Sequence, residues 1–291
     1  MIIQKKDFSK ETIRLLMDGN IEDAGVLLWL NAKQHPSYKA YHNLGIYLQE
    51  WHLYWPLGKN RYFSVPKDES RHALKYLLKA QKMNDSSWIN DTAIANTYYS
   101  LKNYPTALYY YQKAIEHSDF PGFSFSKKAI CLLACHSFTK AKTDFETATE
   151  REDSQQQKCY YTYLSVLCDI FCHQNNRNSY ERYLHYLNIL HENSGSGLSE
   201  SRILCIDPSI LFVDSIDIAC YYEDWDEIKN HKDRYNSQLL SKRNKEAIKM
   251  IQSSTMNIEK TDCWKREIEN ELFDEYCDGG YNLWKDMNYY E

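Results

Sequence analysis

Two groups of cysteine and histidine residues have types and spacing that could bind a metal ion. They are Cys131, Cys135 and His136 in the first group, and Cys168, Cys172 and His173 in the second. Thiolate and imidazole ligands at positions i and i+4 of a helix can share a zinc ion. The sequence has a repeat of 34 residues, and the two cysteine pairs fall at different positions of this repeat. They are therefore not expected to face each other. We therefore predict small buried thiols and no metal site.

The sequence contains no specific catalytic motif. Asp169 and His173 are four residues apart and could form an acid–base couple, but a helical protein of this size contains several such pairs. Gly195-Ser196-Gly197 lacks the Lys-Ser/Thr that completes a phosphate-binding loop. The sequence has neither a Gly-x-Ser-x-Gly elbow nor a His-Glu-x-x-His helix. We predict no catalytic residue, no cofactor and no enzymatic activity.

The elements that carry these residues follow a period of 34. The pairs that share this spacing are Ala95 and Ala129, Ala107 and Ala141, Tyr111 and Phe145, and Ala114 and Ala148. A fixed period between 20 and 50 residues indicates an array in which each unit is a supersecondary element that buries its apolar face against its neighbours. Two helices can cross closely only where the side chains between them are small.

The two units that begin at Trp88 and Gly122 resemble the tetratricopeptide repeat, a helix–turn–helix of 34 residues. Their alanines occupy the small positions of that family, although Lys128 departs from its pattern. The resemblance implies an all-α solenoid of helical hairpins that forms a right-handed superhelix closed by C-terminal capping helices. We expect about five hairpins and a terminal helix.

The rest of the chain is assigned by the same pattern. Residues 1–194 are predicted to form the tetratricopeptide-like repeats, starting with a hairpin that turns at Gly19-Asn20. A further unit begins at Tyr161, where Tyr180 occupies a position that is normally small. The Gly- and Ser-rich residues 195–206 are predicted to be a linker. Residues 207–291 are expected to form a degenerate helical repeat and the capping helices.

An aromatic insertion at 51–66 separates the two helices of the second hairpin. It contains Trp51, Trp55, Arg61 and Tyr62, and Pro56 and Pro66 are expected to break it into a loop. Trp, Tyr and Arg are the residues most often found as interface anchors, so the segment is interpreted as a binding element. The alternative is a structural flap that covers the end of an early repeat.

Composition limits the classes of partner. With 40 acidic and 35 basic residues the net charge is −5, which does not favour nucleic acid or an anionic membrane. The first ten residues lack the apolar segment of a signal peptide, and no run of 18 apolar residues occurs, so we expect a cytoplasmic protein. Nine scattered cysteines suit reduced, buried thiols.

Function is inferred from the resemblance. In the tetratricopeptide family the first helices of successive repeats line a concave groove that holds a peptide or a partner helix. We therefore expect a non-catalytic protein–protein interaction scaffold or adaptor. The alternative is a regulatory subunit that senses a peptide or ligand and acts on a separate effector protein. The predicted partner-binding residues are Trp51, Trp55, Arg61, Tyr62, Asn96, Tyr99, Phe123 and Ile130.

Overall fold

The structure is a computed structural model that describes residues 8–54, 67–193, 208–230, 242–253 and 258–278. Within these ranges every regular element is helical and no strand occurs. The all-α prediction is therefore confirmed for the described part of the chain.

Fourteen helices follow one another along these ranges. They are α1 (Phe8–Met17), α2 (Ile21–Gln34), α3 (Tyr38–Tyr54), α4 (Lys67–Gln81), α5 (Trp88–Ser100), α6 (Tyr104–His117), α7 (Pro121–Ala134), α8 (Phe138–Glu150), α9 (Gln155–Phe171), α10 (Arg177–Asn193), α11 (Pro208–Tyr221), α12 (Trp225–Asn230), α13 (Lys242–Ser253) and α14 (Ile258–Phe273). A π-helical turn, Asp274–Asp278, continues α14. The first twelve helices form six consecutive pairs along the chain.

The described residues divide into two compact units. The boundary falls inside α7, between Ser124 and Phe125. The first unit holds α1 to α6 and the start of α7, and its core includes Leu28, Leu44 and Leu77. The second unit holds the remaining helices. The predicted linker at 195–206 lies outside the described residues, so the domain division made from the sequence stays a prediction.

Five of the helix pairs turn through the same backbone motif. In each, the first residue after the helix C-cap has a positive φ, and the five residues are Gly19, Lys102, His136, His173 and Glu223. At Lys102, for example, its N–H donates to Tyr99 O at 2.8 Å and the next N–H, of Asn103, donates to Tyr98 O at 2.8 Å. This pair of bonds is the Schellman motif, which satisfies the last carbonyl groups of a helix.

Small residues lie at the helix crossings that the repeat pattern predicts. The alanines at the three small positions are fully buried; they are Ala24, Ala73, Ala80, Ala95, Ala107, Ala114, Ala129, Ala141 and Ala148. Gly45 occupies the equivalent position in α3, where a Cβ atom would lie 2.6 Å from Leu77 Cγ. The repeat phase is thus confirmed at the packing level.

The start of the aromatic insertion differs from the prediction. Residues 51–54, which include Trp51, continue α3 to Tyr54 instead of forming a loop. The first helix breaker in the segment is Pro56, which disfavours the helical conformation of the residue before it. No earlier residue of the segment is a helix breaker, so α3 can continue to Tyr54. Residues 55–66, which contain Trp55, Arg61 and Tyr62, lie outside the described residues.

The fifth hairpin, formed by α9 and α10, has a longer turn than the first, third and fourth hairpins. Three residues separate α7 from α8, whereas five separate α9 from α10. The frame that started at Tyr161 therefore fits α10 but is shifted by two residues in α9. When the left-handed residues are taken as the reference, Cys168 precedes His173 by the same five residues that separate Cys131 from His136. The two cysteine groups occupy equivalent places, and the difference in phase inferred from the sequence is wrong.

Candidate functional site

The first helices of the second and third hairpins are joined by buried polar side chains. His42 Nδ1 of α3 is 2.9 Å from Asn90 Oδ1 of α5, and Gln49 Nε2 donates to Ala93 O at 2.8 Å. The same Gln49 amide also bonds to the hydroxyl group of Thr97. By resemblance to the tetratricopeptide repeat, His42 and Gln49 would face the groove that the first helices line. They instead hold α3 against α5, and each is at most 1% exposed.

Asn96 and Tyr99 of α5 pack inside the third hairpin. Tyr111 donates a hydrogen bond of 2.6 Å to Asn96 Oδ1, which links α5 to α6. Tyr99 is 9% exposed, and its ring centroid is 5.5 Å from that of Tyr104. From Asn90 to Thr97 every residue of α5 is buried. The surface predicted to face a partner is therefore almost inaccessible on this helix.

Phe123 and Ile130 both lie on α7 but belong to different units. Phe123 is 5% exposed and forms an edge contact with Trp88, with ring centroids 6.3 Å apart. Its neighbour Phe120 is 56% exposed and lies 5.9 Å from the same indole. Ile130 is 1% exposed in the second unit. The structure thus brings Asn96, Tyr99 and Phe123 into one unit without giving them an open surface.

In the second unit, α9 is buried along its length from Cys159 to Phe171. The chain's own C-terminal segment packs against it. Tyr163 of α9 donates a hydrogen bond of 3.1 Å to Tyr276, and the Phe273 ring lies 5.5 Å from Phe171. At the end of this contact, His173 Nδ1 is 3.2 Å from Glu269 Oε1. The same helix α14 also packs against α11. The capping role expected from the sequence stays a prediction.

Asp169 and His173, which the sequence places four residues apart, interact with different partners. Lys142 of α8 places its ammonium group 2.7 and 2.8 Å from the two carboxylate oxygens of Asp169. The His173 ring contacts Glu269, as described above. The carboxylate of Asp169 is therefore engaged in a buried ion pair that links α8 to α9.

Five of the eight described cysteines are buried, two are partly buried and Cys263 is exposed. Burial raises the pKa of Cys131, Cys159 and Cys168 above the ordinary value for a thiol. Burial is also the main cause that raises the pKa of Cys135. Among the described residues, no three His, Cys, Asp or Glu side chains come together in a way that could hold a metal ion.

The structure shows a surface cavity that was not predicted from the sequence. It has a volume of about 220 Å³ and lies in the first unit, where the start of α3 meets α2 and α4. Its walls include the aromatic rings of Trp29, Tyr41 and Tyr76 and the side chains of Lys33 and Lys79. A sequence signal existed, since Trp29 with Lys33 and Tyr76 with Lys79 have the i,i+4 and i,i+3 spacing of neighbours on a helix. Nothing in the repeat pattern places the two pairs together.

One comparison with known proteins, that with solved structures, supports the fold. No family model and no curated protein sequence matches the chain. Among solved structures, the chain is similar to a tetratricopeptide repeat protein from Parabacteroides merdae, with a TM-score of 0.51 and 12% sequence identity. The match covers 95% of this chain and 98% of that one. The class defined by the fold is thus the all-α helical repeats, and within that class the chain has a tetratricopeptide-repeat fold.

No helix in the described ranges combines the length and the apolar character that crossing a bilayer requires.

Proposed function

We propose that this chain is a non-catalytic protein–protein interaction scaffold that binds a peptide or a helix of a partner protein. The observation that carries the proposal is the succession of helical hairpins with the tetratricopeptide fold. Such arrays stack units that contact only their neighbours, and this arrangement creates extended helix surfaces suited to binding other chains. The preferred partner is a protein and not a nucleic acid, because the chain has a net charge of −5.

The proposed contact region is the end of α3 together with the insertion that follows it. Buried hydrogen bonds from His42 and Gln49 fix α3 against α5. Residues whose positions are fixed before binding lose less conformational entropy when a partner arrives. Support of this kind suits an anchor at Trp51, at the end of α3. Trp55, Arg61 and Tyr62, which lie outside the described residues, complete the proposed region.

Asn96, Tyr99, Phe123 and Ile130 take a different part in this proposal. None is more than 9% exposed, so a partner would touch them directly only after neighbouring segments move. Their proposed role is to support the helices that carry the contact region.

The experiment is affinity capture of a partner with the wild-type chain, followed by titration calorimetry of the purified pair. The double variant Trp55→Ala/Tyr62→Ala should weaken binding by about 2 kcal/mol or more, which is the scale of an interface hot spot. Its melting temperature should change little. Tyr109→Ala is the matched control, because this tyrosine is 64% exposed on α6 and lies outside the proposed region.

Unchanged affinity together with a lower melting temperature for Trp55→Ala/Tyr62→Ala would contradict the proposed region. The insertion would then be a structural flap. Failure to capture any partner with the wild-type chain would contradict the scaffold function itself.

A further inference from the structure

The cavity between α2, α3 and α4 combines two cations with three aromatic rings. Lys33 Nζ lies 4.8 Å from the centre of the Trp29 ring. Lys79 Nζ lies 5.2 Å from the centre of the Tyr41 ring and 5.3 Å from that of Tyr76. These contacts hold both ammonium groups over ring faces, a geometry that stabilises a cation while leaving it open to an anion.

Among the described residues, no carboxylate lies within ion-pair distance of Lys33 or Lys79. The acidic side chains of α2 are Glu22 and Asp23 in its first turn, at the opposite end of the helix from Lys33. In a chain with a net charge of −5, two lysines that pair with no described carboxylate form a local positive site at this cavity.

Trp29 gives the cavity an exposed apolar wall. Its side chain is 47% exposed although it is one of the largest apolar groups in the chain. A tryptophan left half open beside two partly buried tyrosines is typical of an interface anchor.

We propose that this cavity binds an acidic segment of a protein partner, with one large apolar side chain inserted against Trp29 and flanking carboxylates paired with Lys33 and Lys79. The proposal rests on the proposed function in taking the partner to be a protein. It goes further in naming a second contact surface, formed largely by the second helices α2 and α4, and the chemistry of the segment that it binds.

Cavity size and lining favour this occupant. About 220 Å³ is below the roughly 300 Å³ at which pockets for drug-sized ligands begin, so the cavity suits a single anchoring side chain. An inorganic anion would use the two lysines and leave the aromatic walls exposed to water. A peptide that carries both carboxylates and an apolar side chain uses both features.

The test uses the full chain and a fluorescein-labelled peptide with the sequence Gly-Glu-Phe-Glu-Gly, followed by fluorescence anisotropy at low and high salt. Wild-type protein should bind this probe, and Lys33→Gln/Lys79→Gln should weaken binding at least tenfold and reduce its salt dependence. Trp29→Ala should weaken binding without changing the salt dependence. The control Lys245→Gln/Lys249→Gln makes the same change of charge at two exposed lysines on α13, which does not line the cavity, and it should bind as the wild type does.

Several outcomes would overturn the proposal. They are equal affinity for the Lys33→Gln/Lys79→Gln variant, equal affinity for a Gly-Lys-Phe-Lys-Gly probe, full competition by millimolar inorganic phosphate, and no binding by the wild type. The result is separable from the scaffold function, because the probe is added directly. Loss of partner binding in Trp55→Ala/Tyr62→Ala with normal probe binding would separate the two surfaces. Probe binding in a protein that captures no partner would support the cavity alone.

Discussion

Leu77 of α4 lies directly against Gly45 of α3. A Cβ atom at Gly45 would be 2.6 Å from both Cγ and Cδ2 of Leu77, and the backbone oxygen of Ala73 lies 3.4 Å away. Real Cβ atoms do not approach other carbon atoms so closely, so α3 and α4 pack closely here only because position 45 has no side chain.

The first prediction concerns this crossing. Gly45→Ala should lower the free energy of unfolding by about 1 to 2 kcal/mol, because overpacking costs more than the gain from replacing a helical glycine. In a Leu77→Ala background the same change should raise stability by about 0.5 to 1 kcal/mol, since only the helix-propensity gain is left. Urea denaturation followed by circular dichroism measures both values. An equal effect in the two backgrounds would show that the two residues are not in contact.

The second prediction concerns the turn between α5 and α6. Lys102 has a φ of 58°, a conformation that costs an ordinary residue roughly 1 kcal/mol relative to glycine. Lys102→Gly should therefore raise the free energy of unfolding by up to about 1 kcal/mol. Lys102→Ala is the control and should leave stability nearly unchanged, because alanine has the same steric conflict as lysine. A destabilised glycine variant would contradict the expectation.

The third prediction concerns pH and the buried carboxyl group of Asp91. Burial raises the pKa of Asp91, although Lys113 Nζ at 3.5 Å from one of its oxygens acts in the opposite direction. Gln81 donates a hydrogen bond of 3.1 Å to the carboxyl group, and His117 Nδ1 lies 3.8 Å from it. Because the folded pKa lies above the unfolded one, the contribution of this group to stability is present at low pH and is lost as pH rises through the folded pKa. Asp91→Asn should therefore gain stability relative to the wild type as the pH rises above the ordinary carboxyl pKa of about 4.

Asp85 is the matched control for that experiment. It pairs with the same lysine, at 2.6 Å, but it is exposed, and the hydrogen bond from Lys113 lowers the pKa of Asp85. Its contribution is present above its ordinary pKa and is lost as pH falls, so Asp85→Asn should lose stability relative to the wild type as pH rises. Denaturation curves at several pH values compare the two variants. The same sign for both would contradict the assigned environments.

The fourth prediction tests the packing of α14. The Phe273 ring lies 5.2 Å from His136, 5.5 Å from Phe171 and 6.1 Å from Phe138. Phe273→Ala should lower the free energy of unfolding by about 2 kcal/mol, less than for a fully buried phenylalanine because this ring is partly exposed. Asn270→Ala, on the exposed side of the same helix, should change stability by less than about 0.5 kcal/mol. Chemical denaturation distinguishes them, and equal effects would argue against the packing.

The helical hairpins and their phase could be predicted because the determining signal is local in the sequence. Small residues such as Ala107 and Ala141 recur at a fixed interval, and each marks a crossing between helices that are adjacent in the chain. The turns were less visible. Glycine is the usual sequence marker of a left-handed helix cap. Lys102, His136 and His173 have a positive φ at this position, so the residue types there gave no signal of the turn.

Contacts between distant residues could not be derived from the pattern. Tyr180 occupies a position expected to be small, yet it is 1% exposed and stacks on Tyr222 with ring centroids 4.5 Å apart and planes 6° apart. The Arg177 guanidinium lies over both rings and donates to Tyr222 O at 2.6 Å. A large residue is accommodated because the partner that packs against it comes from a later helix pair.

The candidate site shows the same limit. Repeat positions place His42, Gln49 and Asn96 on the groove surface that the first helices line. They do not show whether neighbouring helices cover that surface. These three side chains are buried and not open to a partner because they form hydrogen bonds with α5 and α6, and buried amide and imidazole groups must be paired. The cavity with Lys33 and Lys79 depends on how three helices meet, which no single-helix pattern contains.

The buried thiols can be used to measure how often the helices around them open transiently. Cys131 lies in α7, while Cys159 and Cys168 lie in α9, and all three are at most 1% exposed. Since the thiolate is the reacting form, an alkylating reagent at neutral pH can modify these residues only when the surrounding helices open transiently. Exposed Cys263 on α14 supplies an internal reference for the intrinsic reaction rate. Mass spectrometry of a labelling time course would therefore read the opening frequencies of α7 and α9 separately, without any introduced label.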